Sequence, residues 1–118
     1  MTGVVSITLP FPPSVNRMWR TWKGRMLLSR QGREYRTEAL RALAGVDSFG
    51  RKHVRVHVRM FVPDGRRRDI DNLWKAAGDA LQAGRVVHDD SQIRDLRLQH
   101  CGTDREWPRI EVTITEMP

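Results

Sequence analysis

The sequence predicts an α+β fold: a mixed β-sheet with two main helices packed on it, in the order β-α-β-α-β-β. Three stretches carry this expectation. From His53 to Val62 the apolar residues Val54, Val56, Val58, Met60 and Val62 alternate with His53, Arg55, His57, Arg59 and Phe61, so one face is buried and the other largely basic. From Asp69 to Ala83 the apolar residues Ile70, Leu73, Trp74, Ala77 and Leu81 recur at helical spacing. From Arg109 to Thr115 the period returns to two, around Ile110, Val112 and Ile114.

Taken in chain order, Val4 to Leu9 reads as a short strand with Val5, Ile7 and Leu9 on one face, stopped by Pro10, Pro12 and Pro13. Ser14 to Leu28 reads as a loop in which Arg17, Arg20, Lys23 and Arg25 interleave with Trp19 and Trp22. That mixture suits phosphates and unstacked bases, and equally suits packing under a neighbouring subunit. Ser29 is a fair N-cap for a helix through Ala44, stopped by Gly45. The His53–Val62 strand follows, then a turn at Pro63-Asp64-Gly65. After the second helix, capped by Gly84, Arg85 to Val87 reads as a short extended run. Leu96 and Leu98 mark a further strand before the last.

With 118 residues, the chain fits one domain, 1–118, with little apolar material to spare, so a second copy would help complete its core. The 21 lysines and arginines against 14 acids give +7 and a sequence pI near 10.9, which favours a polyanionic partner through phosphate contacts and counterion release. A single cysteine, Cys101, excludes an intramolecular disulfide, and the segment before Pro10 is too short and polar for a signal peptide. A cytoplasmic protein is expected. No apolar run approaches the roughly 20 residues of a membrane span. His53, His57, His88 and His100 with Cys101 lack the spacing of a zinc site, and no Gly-rich phosphate loop or Ser-His-Asp order is present.

The chemistry concentrates where Arg66, Arg67 and Arg68 run into Asp69 and Asp71 at the start of the second helix. On their own these acids have an ordinary explanation: Asp69 as N-cap, and Asp71 with Lys75 as an i,i+4 pair. The pair Asp89-Asp90 changes that weighting. The helix from Asp69 to Gly84 covers about 22 Å, and an extended return from Gly84 to Asp90 covers roughly 20 Å. A chain doubling back there would bring Asp89 or Asp90 beside Asp69 and Asp71. Clustered carboxylates repel unless a cation neutralises them, and oxygen-only ligands suit Mg²⁺ or Mn²⁺. An acidic metal pocket inside a basic rim is what phosphodiester hydrolysis requires. Lys75, one turn beyond Asp71, would reach the same pocket.

PPSVNR near the start, the RRRDIDNLWKAAGDAL block, HDDSQI and the closing IEVTITEM strand, in that order, resemble the RusA family of Holliday junction resolvases. The resemblance covers most of the chain. It implies a small α+β homodimer that binds four-way DNA junctions and nicks two opposing strands symmetrically with Mg²⁺; Mn²⁺ as a substitute rests on the oxygen-ligand chemistry alone. By this likeness Asp69, Asp71 and Asp90 are the metal-binding catalytic carboxylates, Lys75 is the base or charge stabiliser, and Asp89 is a supporting neighbour. Arg66, Arg67, Arg68, Arg17, Arg20, Lys23 and Asn16 are the candidate DNA contacts. No small-molecule cofactor and no membrane partner are expected. The competing reading is a non-catalytic basic DNA-binding module whose acids only cap helices and pair with lysine.

Overall fold

The computed structural model describes residues 3–118. The chain builds β1 (Val4–Pro10), a four-residue helix α1 (Val15–Met18), β2 (Trp19–Trp22), β3 (Arg25–Leu28) and α2 (Arg30–Leu43). Then come β4 (Val54–Val62), α3 (Ile70–Ala83), a 3-10 turn over Asp90–Gln92, β5 (Ile93–Thr103) and β6 (Arg109–Glu116). The expected α+β architecture with a mixed sheet is present. The four-stranded sheet runs β1-β6-β4-β5, with β4 and β5 parallel and the other two pairings antiparallel.

The alternating residues set which face is buried. Val54, Val56, Val58, Met60 and Val62 of β4 share the inner face with Ile110, Val112 and Ile114 of β6 and Ile7 and Leu9 of β1. Above them lie Tyr35, Ala39 and Leu43 of α2 and Leu73, Ala77, Ala80 and Leu81 of α3, the apolar stripe of each helix turned inward. The opposite sheet face is polar and cross-paired: Arg55 with Asp95 at 2.9 Å, Arg59 with Glu111 at 3.0 Å, and His57 with Gln99 at 2.9 Å. Pro10 is tolerated as the last residue of β1 because β1 is an edge strand, where a missing donor costs no ladder bond.

Two expectations are corrected. Residues 14–28, read as a loop, form α1 and a two-stranded hairpin; its strands are only four residues long and most of their side chains are exposed, so they leave little periodic signal. Arg85 to Val87, read as extended, is a turn. Arg85 adopts a positive φ of 62°, the Val86 amide bonds back to the Leu81 carbonyl at 3.0 Å, and Val86 and Val87 are buried under the end of α3.

Candidate active site

The Asp69 carboxylate accepts from the Asp71 amide at 3.1 Å and caps α3, so one acid is fixed at the helix mouth. Two residues on, Asp71 is exposed, and its carboxylate stands 3.7 Å from the Lys75 ammonium across one helical turn. Further along α3, Asn72, Lys75, Ala76 and Asp79 line one wall of an open groove of about 330 Å³. Pro13, Val15, Met18 and Trp19 form the other wall. Burial raises the Asp79 carboxyl above its usual range; Arg36 counters this, and the nearby Asp90 reinforces it.

The arginine run is not uniform. Arg68 is largely covered: it pairs with Asp64 at 2.9 Å, donates to the Asp64 carbonyl at 3.1 Å, and lies over the Phe11 ring. It holds the loop that delivers Asp69. Arg66 also binds Asp64, at 3.3 Å, while remaining mostly exposed. Bonds from both arginines keep the Asp64 carboxyl well below the ordinary range. Arg67 is exposed and makes no ion pair among the described residues. Asn16 and Arg17 are exposed on α1, and Arg20 and Lys23 are exposed on the hairpin.

The second acidic pair sits on a separately built turn. Asp89 caps the 3-10 turn, and hydrogen bonds from Ser91, contact with Asp90 and the charge of Arg51 lower its pKa. Beneath it the Gln92 side chain is buried and its amide is fully used. Its oxygen accepts from the His88 and Asp89 amides at 2.8 and 3.0 Å; its nitrogen donates to the Gly50 and Lys52 carbonyls at 3.0 and 2.7 Å. Sequence reasoning missed Gln92, although the Asp89-x-x-Gln92 spacing is that of a capping box.

The doubling-back that the spacing predicted does not occur within one chain. Parallel pairing sets Val54 level with Ile93 and Val62 level with Thr103. Asp90 therefore lies at the end of the sheet where β4 begins, tied there through Gln92 to Gly50 and Lys52. Asp69 and Asp71 lie where β4 finishes, beside Arg68 and Phe11. With 14 residues, α3 separates the two ends by about 21 Å. Among the described residues no group of three His, Cys, Asp or Glu is close enough to hold a metal ion. The physical reason is the turn at Arg85: the residues after Gly84 are spent burying Val86 and Val87 instead of running back along the helix.

One buried group has no use in this arrangement: the Tyr35 hydroxyl has no hydrogen-bond partner among the described residues, and burial, with the charge of Asp79, pushes its pKa up.

Residues 10–115 match the profile of the family described as endodeoxyribonuclease RusA. The chain is 42% identical over 114 residues to "Crossover junction endodeoxyribonuclease RusA" of Escherichia coli strain K12, covering 95% of this chain and 94% of that one. The protein of the same name from Shigella sonnei strain Ss046 gives the same figures. The enzyme of Enterobacteria phage 82 is 41% identical over 113 residues, 94% of this chain and 93% of that one. The acid-bearing helix, the separately anchored acidic turn and the parallel strands β4 and β5 thus all fall within the matched span, and the chain belongs to the RusA family of endodeoxyribonucleases.

Proposed function

We propose that this protein is a Holliday junction resolvase: a homodimeric endonuclease that binds four-way DNA junctions and hydrolyses phosphodiesters in two opposing strands. Family membership over nearly the whole chain carries this reading. The geometry supports it locally, with exposed Asp69, Asp71 and Lys75 set on one helix end inside an arginine-rich rim, beside an open groove. Catalysis takes place on DNA in the cytoplasm; among the described residues no helix is long and apolar enough to cross a membrane.

Asp69 and Asp71 offer hard carboxylate oxygens two residues apart, a donor set that fits Mg²⁺, which commonly uses one or two protein carboxylates with waters and substrate phosphate; Mn²⁺ accepts the same donors. An ion held there supplies an activated water and shields the charge of the leaving oxygen. The third carboxylate comes from a second copy. A two-fold axis that lays α3 of one subunit antiparallel beside α3 of the other brings the end bearing Asp69 and Asp71 next to Asp90 of the partner subunit. The same operation produces a second, equivalent site, which matches the two symmetric cuts a junction requires. Lys75 stabilises negative charge on the attacked phosphoryl group, and Arg67, with Arg66, Asn16, Arg17, Arg20 and Lys23, holds the backbone through phosphate contacts. Arg68 acts through the loop it braces.

A second reading has one specific observation in its favour. Asp69 is a working helix cap and Asp71 is paired with Lys75, which is what a non-catalytic DNA-binding module would show. Incubating the purified protein with an end-labelled four-way junction, first with Mg²⁺ and then with EDTA, separates the two. Paired nicks that vanish with chelator are expected; binding without nicks under every metal condition would leave only the binding module.

A further inference from the structure

The β2–β3 hairpin is anchored at its base, and residues 20–26 around its tip are exposed. At the base the Ser29 amide donates to the Met18 carbonyl at 2.8 Å, the Ser29 hydroxyl donates to the Arg17 carbonyl, and Arg33 donates to the Leu28 carbonyl at 3.0 Å. Gly32 lies so close to Met18 that a Cβ there would collide with its carbonyl oxygen, which keeps the hairpin base tight on α2. At the tip Lys23 and Gly24 take φ values of 49° and 74°, the two positive angles of a tight hairpin turn. The arm is therefore pre-formed, with little ordering entropy left to lose on binding.

Register fixes which side chains share a face. Trp22 pairs with Arg25 and Arg20 with Leu27, so Arg20, Trp22, Arg25 and Leu27 lie together. Trp22 is 49% exposed, a large apolar surface left open at the hairpin tip. The Lys23 ammonium sits 4.5 Å from the centre of its ring. An open indole ringed by Arg20, Lys23 and Arg25, with no acid between Ser14 and Arg33, is complementary to a flat aromatic group carrying phosphates. The hairpin base leads to the reaction centre: Trp19, first residue of β2, lines the same groove as Asn72 and Lys75.

We propose that the Trp22 face of the hairpin is a stacking platform for one unpaired nucleobase at the branch point of the junction, with Arg20, Lys23 and Arg25 gripping the phosphates on either side. Base pairs at a strand exchange point lack a continuous stack, so a base there is cheaper to turn out than one in duplex. A stacking contact made only at the branch point separates junction from linear DNA without reading sequence, since every base has a π-face. The inference rests on the resolvase reading and adds to it the element that tells branched from unbranched DNA.

The test compares wild type, Trp22→Ala, Trp22→Phe and Lys23→Ala for binding to an immobile four-way junction and to a duplex arm of the same sequence. Trp22→Ala is expected to weaken junction binding about tenfold, the scale of one lost base–aromatic stack, with duplex affinity nearly unchanged. Trp22→Phe should restore most of the loss, and Lys23→Ala, which removes one phosphate grip beside the stacked base, should also weaken the junction more than the duplex. A junction carrying 5-iodouracil at the branch point should crosslink to Trp22 on irradiation. Equal losses on junction and duplex, or a crosslink mapping elsewhere, would overturn the platform. So would a changed sedimentation coefficient for Trp22→Ala, which would assign the indole to a subunit contact. If wild type itself fails to prefer the junction, the resolvase reading falls as well; if wild type prefers and nicks it and Trp22→Ala does the same, only the platform falls.

Discussion

The Lys75 ammonium stands 3.7 Å from the Asp71 carboxylate, with both side chains about two-thirds exposed at 65% and 63%. An ion pair that open contributes a few tenths of a kcal/mol at most, so stability does not explain its position beside the groove. Lys75→Ala is therefore expected to leave the unfolding midpoint nearly unchanged while lowering junction cleavage at least 100-fold, the scale of a lost electrostatic stabiliser. Urea denaturation and single-turnover cleavage measure the two quantities. Activity within a few fold of wild type would remove Lys75 from the reaction.

Asp69 caps α3, and the proposed function gives it a second, separable duty as a cation ligand. Asparagine caps nearly as well as aspartate, whereas alanine loses about 1 kcal/mol. Asp69→Asn should keep wild-type stability and bind junctions as well or more tightly, since a negative charge facing phosphate is gone, yet cut none of them. Asp69→Ala should be equally inactive and measurably less stable. Cleavage surviving in Asp69→Asn would confine this residue to its capping role.

Gln92 holds Asp90 by a buried amide that satisfies four backbone groups at once. Replacing it with alanine strands those groups, and a loss of about 3 kcal/mol is expected from buried donors and acceptors left without partners. Gln92→Glu keeps an acceptor for the His88 and Asp89 amides but sets a buried carboxylate oxygen against the Gly50 and Lys52 carbonyls, so its loss should be at least as large. In both variants kcat should fall more than junction affinity, because Asp90 shifts while the arginine rim does not. A variant as stable as wild type would contradict the assigned network.

Bonds from Arg68 and Arg66 depress the Asp64 pKa in the folded state below its ordinary 3.8. A depressed carboxyl contributes stability that is present above 3.8 and lost as pH falls toward its folded value. Asp89 and Asp104 are shifted in the same direction, so thermal stability should drop on acidification through that window. Asp64→Asn should be less stable near neutrality and show a shallower acid decline in thermal scans. Parallel pH profiles for the two proteins would contradict the ion-pair origin.

Much of this was legible in the sequence, and the exceptions have physical causes. β4, β6 and α3 were readable because one face of each is buried and the other wet, which imprints period 2 or 3.6 on the chain. The cap at Asp69 and the Asp71–Lys75 pair followed from helical spacing. The hairpin left no such imprint, because its short strands bury little. The path after Gly84 was misjudged because chain length limits reach without fixing direction; burial of Val86 and Val87 and the parallel register of β5 decided it. Arg66, Arg67 and Arg68 look alike in sequence, and only Asp64 and Phe11 distinguish the braced Arg68 from the free Arg67.

The separation of Asp90 from Asp69 and Asp71 by the length of α3 is the ground on which a site shared across a two-fold is proposed, and subunit mixing tests it. Asp71→Asn and Asp90→Asn are each expected to be inactive alone. Mixed heterodimers of the two place both lesions in one site and leave the other intact, so mixing should restore nicking of a single strand of the junction. Mixtures that stay inactive, although heterodimers form, would place all the carboxylates of each site in one subunit and contradict the account.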